Sequence, residues 1–413
     1  MNRNIAVITT NQFLTNLADS IFQVVLFWYV YHQTGSALSA SLVTAISFTV
    51  QIFLSPLIGV FSDRFNPLNS MQLSFCLLGI VGILFTPIYF FFNSFIVIYI
   101  YLAIIIHTCC MMLEGTSKNR LIPLFVGEEN VVKVNGYISS SSNTAALIGN
   151  SLGGGLLAIV SFAGVMFIHS GLYFLAAIML LFLIKNEQFK EKKEEKKKVN
   201  KNRFFNELLD GFKLLKDNRP LLKLIILSCV LNIAMLNSSL LVVLVSKHYQ
   251  GSSATFGFFN MFGVLSSILV GLIIGKLTDK FRSSSLLTAS LFINGTATVL
   301  MGVTHSTVLG IMLNMLVLSS GTILRITFNS FMIICVEDKF RGRIMSLAIA
   351  ISAIIVPLIS ILGGYLSDHL GIGVVYILSG SWVIVWALFP LIDKDIRTVN
   401  LEAQQGQNKS ATL

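Results

Sequence analysis

Long apolar runs alternate with short polar breaks along this chain. The runs lie near 5–31, 37–61, 70–92, 94–118, 134–160 and 162–184, then near 220–246, 254–277, 284–304, 307–330, 344–367 and 371–393. At 1.5 Å of rise per residue, about 20 apolar residues carry a helix across the hydrocarbon of a bilayer. A single helix is also the simplest segment that satisfies its own backbone groups in lipid. The pattern therefore predicts an all-α membrane protein of about twelve transmembrane helices, here called spans 1 to 12. It divides the chain into an N-terminal six-helix bundle at 1–184, a linker at 185–219, a C-terminal six-helix bundle at 220–393 and a tail at 394–413. Asn11, Gln12, Asn16 and Asp19 interrupt the first run and no cleavage site follows it, so span 1 is expected to be retained.

Two repeats relate the halves. Gly59-Val60-Phe61-Ser62-Asp63-Arg64-Phe65 returns as Gly275-Lys276-Leu277-Thr278-Asp279-Lys280-Phe281, 216 residues later. Asn119, Lys133 and Gly153-Gly154 return as Asn329, Arg343 and Gly363-Gly364, offset by 210. Such spacing predicts two pseudo-symmetric bundles. The linker opens with a solvated lysine/glutamate run, Lys190 to Lys198. It then places Phe204, Phe205, Leu208, Leu209, Phe212 and Leu215 at helical spacing, which predicts a helix lying in the cytoplasmic interface.

Composition sharpens this picture. Hydrophobic residues make up 54% of the 413 and charged residues only 12%, with a mean hydropathy of +0.80. A soluble domain carries about 25% charged residues. The net charge of +10 does not indicate nucleic-acid binding, since 12 of the 29 basic residues fall between Lys185 and Arg219. One alternating set of loops holds Arg64; Lys118, Arg120 and Lys133; Lys276, Lys280 and Arg282; Lys339, Arg341 and Arg343; and Lys394 and Arg397, whereas the opposite set holds only Lys247. This asymmetry predicts a multi-pass protein of the cell membrane with both termini and the linker cytoplasmic. All five cysteines lie in apolar stretches and are expected to pack as small hydrophobes. No phosphate-binding Gly-Lys-Ser/Thr loop, metal-ligand cluster or nucleophile motif is present, so no cofactor, metal or enzymatic activity is expected.

Ionisable groups at membrane depth are costly, about 2.5–3.5 kcal/mol on insertion scales, and mark function by default. Three charged residues fall well inside spans: Asp19 in span 1, Glu114 in span 4 and Arg325 in span 10. His107 in span 4 is taken as the one histidine well inside a span. Gln12, Asn16, Asp19 and Gln23 recur at the spacing of one helix face, as do His107 with Glu114, and Asn314 with Gly321 and Arg325. Span 7 adds Asn232 and Asn237. A carboxyl group walled by apolar side chains can load and release protons near neutral pH. Asp19 is therefore the expected proton carrier, Glu114 the competing one, and His107 a relay. Arg325 suits bidentate capture of a carboxylate, unless Glu114 neutralises it across the two halves. Asn16, Gln23, Asn232, Asn237 and Asn314 complete the expected substrate-binding set.

Gly59, Asp63 and Arg64 make the chain resemble the major facilitator superfamily over essentially its whole length. Asn66 and Pro67 stand where that family's loop motif continues with glycine and arginine. The resemblance implies that Gly59, Asp63 and Arg64, with Gly275, Asp279 and Lys280, gate the carrier, each aspartate steadying one access state. It also implies that spans 1, 4, 7 and 10 line a central cavity. Gly149-Asn150-Ser151-Leu152-Gly153-Gly154 is similar to the family's span 5 antiporter motif, with Asn150 in place of proline. Thr34-Gly35-Ser36-Ala37-Leu38, Gly211, Leu214-Leu215 and Gly342-Arg343 resemble the drug:proton antiporter branch, which contains macrolide-efflux proteins and siderophore exporters. The expected function is proton-coupled efflux of a small amphipathic organic molecule by a monomer whose partners are substrate, protons and lipid. Uptake of an anionic solute and a non-transporting receptor or assembly role are the alternatives.

Overall fold

The computed structural model describes residues 3–184, 219–335 and 338–393. The amphipathic linker helix and the tail expected from the sequence lie outside the described residues. Among the described residues the chain is helical throughout, with no strand. Six helices build the first half: α1 (Arg3–Thr34), α2 (Ala37–Arg64), α3 (Pro67–Phe91), α4 (Ile96–Val126), α5 (Val131–Ile159) and α6 (Phe162–Met179). The second half begins with α7 (Arg219–Leu231) and α8 (Met235–Val243), separated by a 3₁₀ turn at Asn232–Ala234. It continues with α9 (Ser253–Lys280), α10 (Ser283–Val303), α11 (Thr307–Cys335), α12 (Asp338–Leu370), α13 (Ile372–Ala387) and the short α14 (Phe389–Ile392). Spans 1 to 6 are α1 to α6, span 7 is α7 with α8, and spans 8 to 12 are α9 to α13.

Local sequence explains the turns. Gly35 takes φ +66°, where a side chain would be strained, and its N–H closes on the Tyr31 carbonyl at 2.7 Å. Ser36 then caps α2 by accepting from the Ser39 N–H at 3.2 Å. Asn66 caps α3 through Leu68 N–H at 2.9 Å, with Pro67 in the first helical position where its missing donor costs nothing.

Nine helices among the described residues are long and apolar enough to cross a membrane. The three remaining spans differ for local reasons. Span 5 carries the Ser139–Ser142 tract, Asn143 and Asn150 and so loses hydropathy; span 7 is broken at Asn232; span 12 gives only the short apolar helix Ile372–Ala387. Several helices outrun their predicted spans. α4 continues to Val126, so Lys118 and Arg120, expected in a loop, are helical. The Gly59–Arg64 and Gly275–Lys280 motifs likewise form the last turns of α2 and α9. Large apolar side chains face outward, among them Phe53 at 72%, Leu272 at 77%, Phe91 at 79% and Val385 at 67% exposure. Lipid is the solvent that makes such a surface favourable.

The chain forms two compact units. One holds the first six helices and the segment Leu241–Met261; the other holds the second-half helices up to Leu240 and from Phe262 onward. In the first unit, one apolar cluster gathers Ile8, Ala18, Phe75, Leu78, Leu121 and Tyr173, and a second gathers Ile21, Phe22, Val25, Phe85, Ile100 and Met166. Asp19 lies in sequence between Ala18 of one and Ile21 of the other. In the second unit α10 and α13 meet through glycines: a side chain at Gly295 would begin 2.7 Å from the Gly380 carbonyl, and one at Gly302 would begin 2.6 Å from that of Gly373.

Candidate functional site

Asp19 is the centre of a polar cluster inside the first unit. Its residue is buried, and its Oδ1 lies 3.0 Å from His107 Nε2 of α4. The Tyr173 hydroxyl of α6 donates to the same oxygen. Three helices thus converge on one carboxylate atom. Phe22, three residues after Asp19 on α1, stacks on His107 with ring centroids 4.7 Å apart and on His169 at 4.9 Å. His169 is a second histidine deep within a span, which corrects the expectation that His107 stands alone. It is 1% exposed, meets Tyr173 edge-on at 4.9 Å, and neither ring nitrogen has a hydrogen-bond partner. Met111 Sδ lies 3.8 Å from the Tyr173 hydroxyl.

Asp19 and His107, both predicted, are therefore brought together, whereas Tyr173 and His169 were missed. They sit on span 6, which is apolar enough to hide them. The available signal was a histidine and a tyrosine four residues apart, hence on one helix face. Glu114 is also buried, but its cation comes from its own helix: Lys118 Nζ lies 3.2 Å from Oε1, and hydrogen-bond geometry is met with Oε2 at 3.5 Å. Arg325, the partner expected for Glu114, is exposed on α11. Asn16 spends its amide on the Gln12 carbonyl at 2.8 Å, and Gln23 is exposed. Asn232 lies in the 3₁₀ turn between α7 and α8; the Asn237 side chain lies outside the described residues. Asn314 is buried against Gly263, where a side chain would begin 3.0 Å from its Nδ2. No group of three His, Cys, Asp or Glu side chains among the described residues is arranged to hold a metal ion.

The loop motif has its own anchor. Asp63 and Arg64 are exposed, but Ser62 between Phe61 and Asp63 is buried. Arg120 Nη1 of α4 donates to the Ser62 carbonyl, and Ser117 Oγ lies 3.5 Å from Ser62 Oγ. Gly59 and Gly275 both face open space. Lys280 is exposed and stands 5.7 Å over the Phe281 ring; the Asp279 side chain lies outside the described residues. On α5 the antiporter-like motif is a packing face. A side chain at Gly149 would begin 2.6 Å from Ser20 Cβ, and one at Gly153 would begin 3.1 Å from Val24 Cβ, so both glycines seat α5 on the stretch of α1 that carries Asp19. Gly154 faces the other way, where its side chain would begin 2.9 Å from Gly257 Cα. The Gly257 side chain in turn would begin 2.8 Å from the Asn150 carbonyl.

The sequence profile of the Major Facilitator Superfamily matches residues 8–339. The chain belongs to this superfamily. Among its relatives is the uncharacterized MFS-type transporter YfmI of Bacillus subtilis (strain 168), 24% identical over 94% of this chain and 96% of that protein. Macrolide efflux protein A of Streptococcus pyogenes is 21% identical over 96% of this chain and 97% of its own length. Solved structures share the fold. The nucleoside transporter NupG superposes with a TM-score of 0.74 at 14% identity, covering 95% of this chain and 98% of that one. A D-xylose-proton symporter superposes with a TM-score of 0.73 at 14% identity, covering 94% and 97%. The superfamily member described here is a multi-pass membrane transporter.

Proposed function

We propose that this transporter expels a small amphipathic organic molecule, a macrolide-type drug or a carboxylate siderophore, in exchange for protons by alternating access. The observation that carries the reading is the Asp19–His107–Tyr173 cluster. A carboxylate, an imidazole and a phenol meet at one oxygen within a lipid-embedded bundle, the chemistry a proton-driven carrier needs. Asp19 is the carrier and His107 its relay. Glu114 is assigned a lesser part, because Lys118 already answers its charge. The similarity to macrolide efflux protein A and the glycine motif of span 5 support export over uptake. Arg325, with Asn232, Asn237 and Asn314, is assigned to substrate.

The test uses inside-out vesicles with an imposed proton gradient, offered a macrolide and a carboxylate siderophore in parallel. Wild-type protein is expected to accumulate at least one of them while the gradient lasts. Asp19→Asn is expected to abolish that accumulation, and full gradient-driven uptake by the variant would reject Asp19 as carrier. Arg325→Ala is expected to lose the anionic compound selectively.

A further inference from the structure

We propose that Tyr173 is the positioning residue of the coupling site: its hydroxyl holds the ionised Asp19 carboxylate against span 6, and that hold weakens when Asp19 takes a proton. The inference rests on Asp19 being the coupling carboxylate, as proposed above. Tyr173 is 0% exposed, and Phe75, at 6.0 Å between ring centroids, and His169 fix its ring. Its hydroxyl points at Asp19 Oδ1, and the other acceptor near it is the Met111 thioether at 3.8 Å, a weak one. A phenol donating to a carboxylate makes a charge-assisted bond, roughly twice the strength of the neutral bond left after protonation. The proton adds to the carboxylate and Tyr173 keeps its own, so no group changes hands. Protonation therefore slackens the tie between α1 and α6 at one point.

The groups that bear on Asp19 come from two helices. α4 supplies His107 and, beyond it, the Glu114–Lys118 pair, with Cys110 near the Tyr173 hydroxyl; α6 supplies Tyr173 and His169. The face of α5 that packs on α1 beside Ser20 and Val24 presents Gly149 and Gly153, and the titratable residues of α5, Lys133 and Tyr137, stand near its start, well before Gly149. Tyr173 is the member of this set whose hydroxyl donates to Asp19 Oδ1, and a phenylalanine in its place keeps the ring.

The experiment reads the carboxyl infrared band of Asp19 in full-length protein in lipid nanodiscs, isolated by subtracting the Asp19→Asn spectrum, as pH is varied. Tyr173→Phe is expected to move the pH of half-development upward from the wild-type position by about one to two units, the worth of one hydrogen bond to a charged group. Replacing Tyr173 with 3-fluorotyrosine, a stronger donor of nearly the same size, is expected to move it downward. Opposite signs are the signature, since a purely structural role would not reverse with donor strength. An unmoved band in both variants, or movement in the same direction, overturns the proposal, and the fluorinated variant keeps the test open should Tyr173→Phe fold poorly. A band that moves as expected beside an Asp19→Asn variant that still transports would uphold the positioning role and remove the coupling role of Asp19.

Discussion

Gly82 on α3 marks the point where a missing side chain makes room for the buried His169 ring. A methyl group there would begin 2.9 Å from His169 Nδ1 and 3.2 Å from the Met166 carbonyl. Gly82→Ala should therefore overpack the α3–α6 contact by about 1–3 kcal/mol, seen as a lower Tm for the detergent-solubilised protein. Asn4 shows the same economy in polar form. Its amide donates to the Phe125 and Ile184 carbonyls, each at 2.9 Å, and accepts from the Ile184 N–H at 3.0 Å, tying the start of α1 to the end of α4 and to the segment that follows α6. At this scale the sequence was half legible. Asp19 and His107 stood out because each sits in a span where hydropathy forbids it. Tyr173 did not, because a phenol is mostly apolar surface and costs an apolar run little; His169 was as legible as His107 by residue type but lacks an acid beside it on its own helix. Glu114 was legible as a buried acid, but the partner expected for it was Arg325, since Lys118 stood at the predicted end of span 4 among the loop charges.

That misplaced end belongs to the scale of whole helices. Hydropathy measures the slab of hydrocarbon, whereas the helix runs on until a cap stops it. α4 passes through Lys118, Arg120 and Pro123 and ends at Gly127, whose φ of +84° admits no ordinary side chain without strain. Its extra turns carry Arg120 to Ser62, so the loop motif is held by a residue assigned to a different loop. The glycines of α5 were legible as a motif, but the faces they serve were not, because spacing alone does not say which neighbour lies opposite. Gly153 meets α1 while Gly155 meets nothing within 4 Å. Gly153→Leu should cost about 1–3 kcal/mol or more by forcing α5 from α1, whereas Gly155→Leu should fold as wild type. Thermal unfolding of the pair under identical conditions separates the two faces.

For the molecule as a whole, the apolar rhythm and the repeats predicted about twelve spans in two related halves, because bilayer thickness sets span length and duplication repeats it, whereas the superfamily itself was legible only through the resemblance carried by Gly59, Asp63 and Arg64. Orientation is the remaining large-scale expectation. Lys247 and Lys133 are both exposed, and from the charge asymmetry of the loops they are expected on opposite sides of the membrane. A membrane-impermeant maleimide applied to intact cells should label Lys247→Cys, and Lys133→Cys only after permeabilisation; the reverse pattern would invert the topology. The break of span 7 at Asn232 escaped the sequence because its flanking residues are uniformly apolar.

The acid, its phenol and its imidazoles all stand on helices of the first half. Under the proposed mechanism the energy source therefore belongs to the first half of the chain, and Arg325 and Asn314 to the second. Descendants of such a carrier can change cargo by mutating one half while inheriting the motor of the other intact.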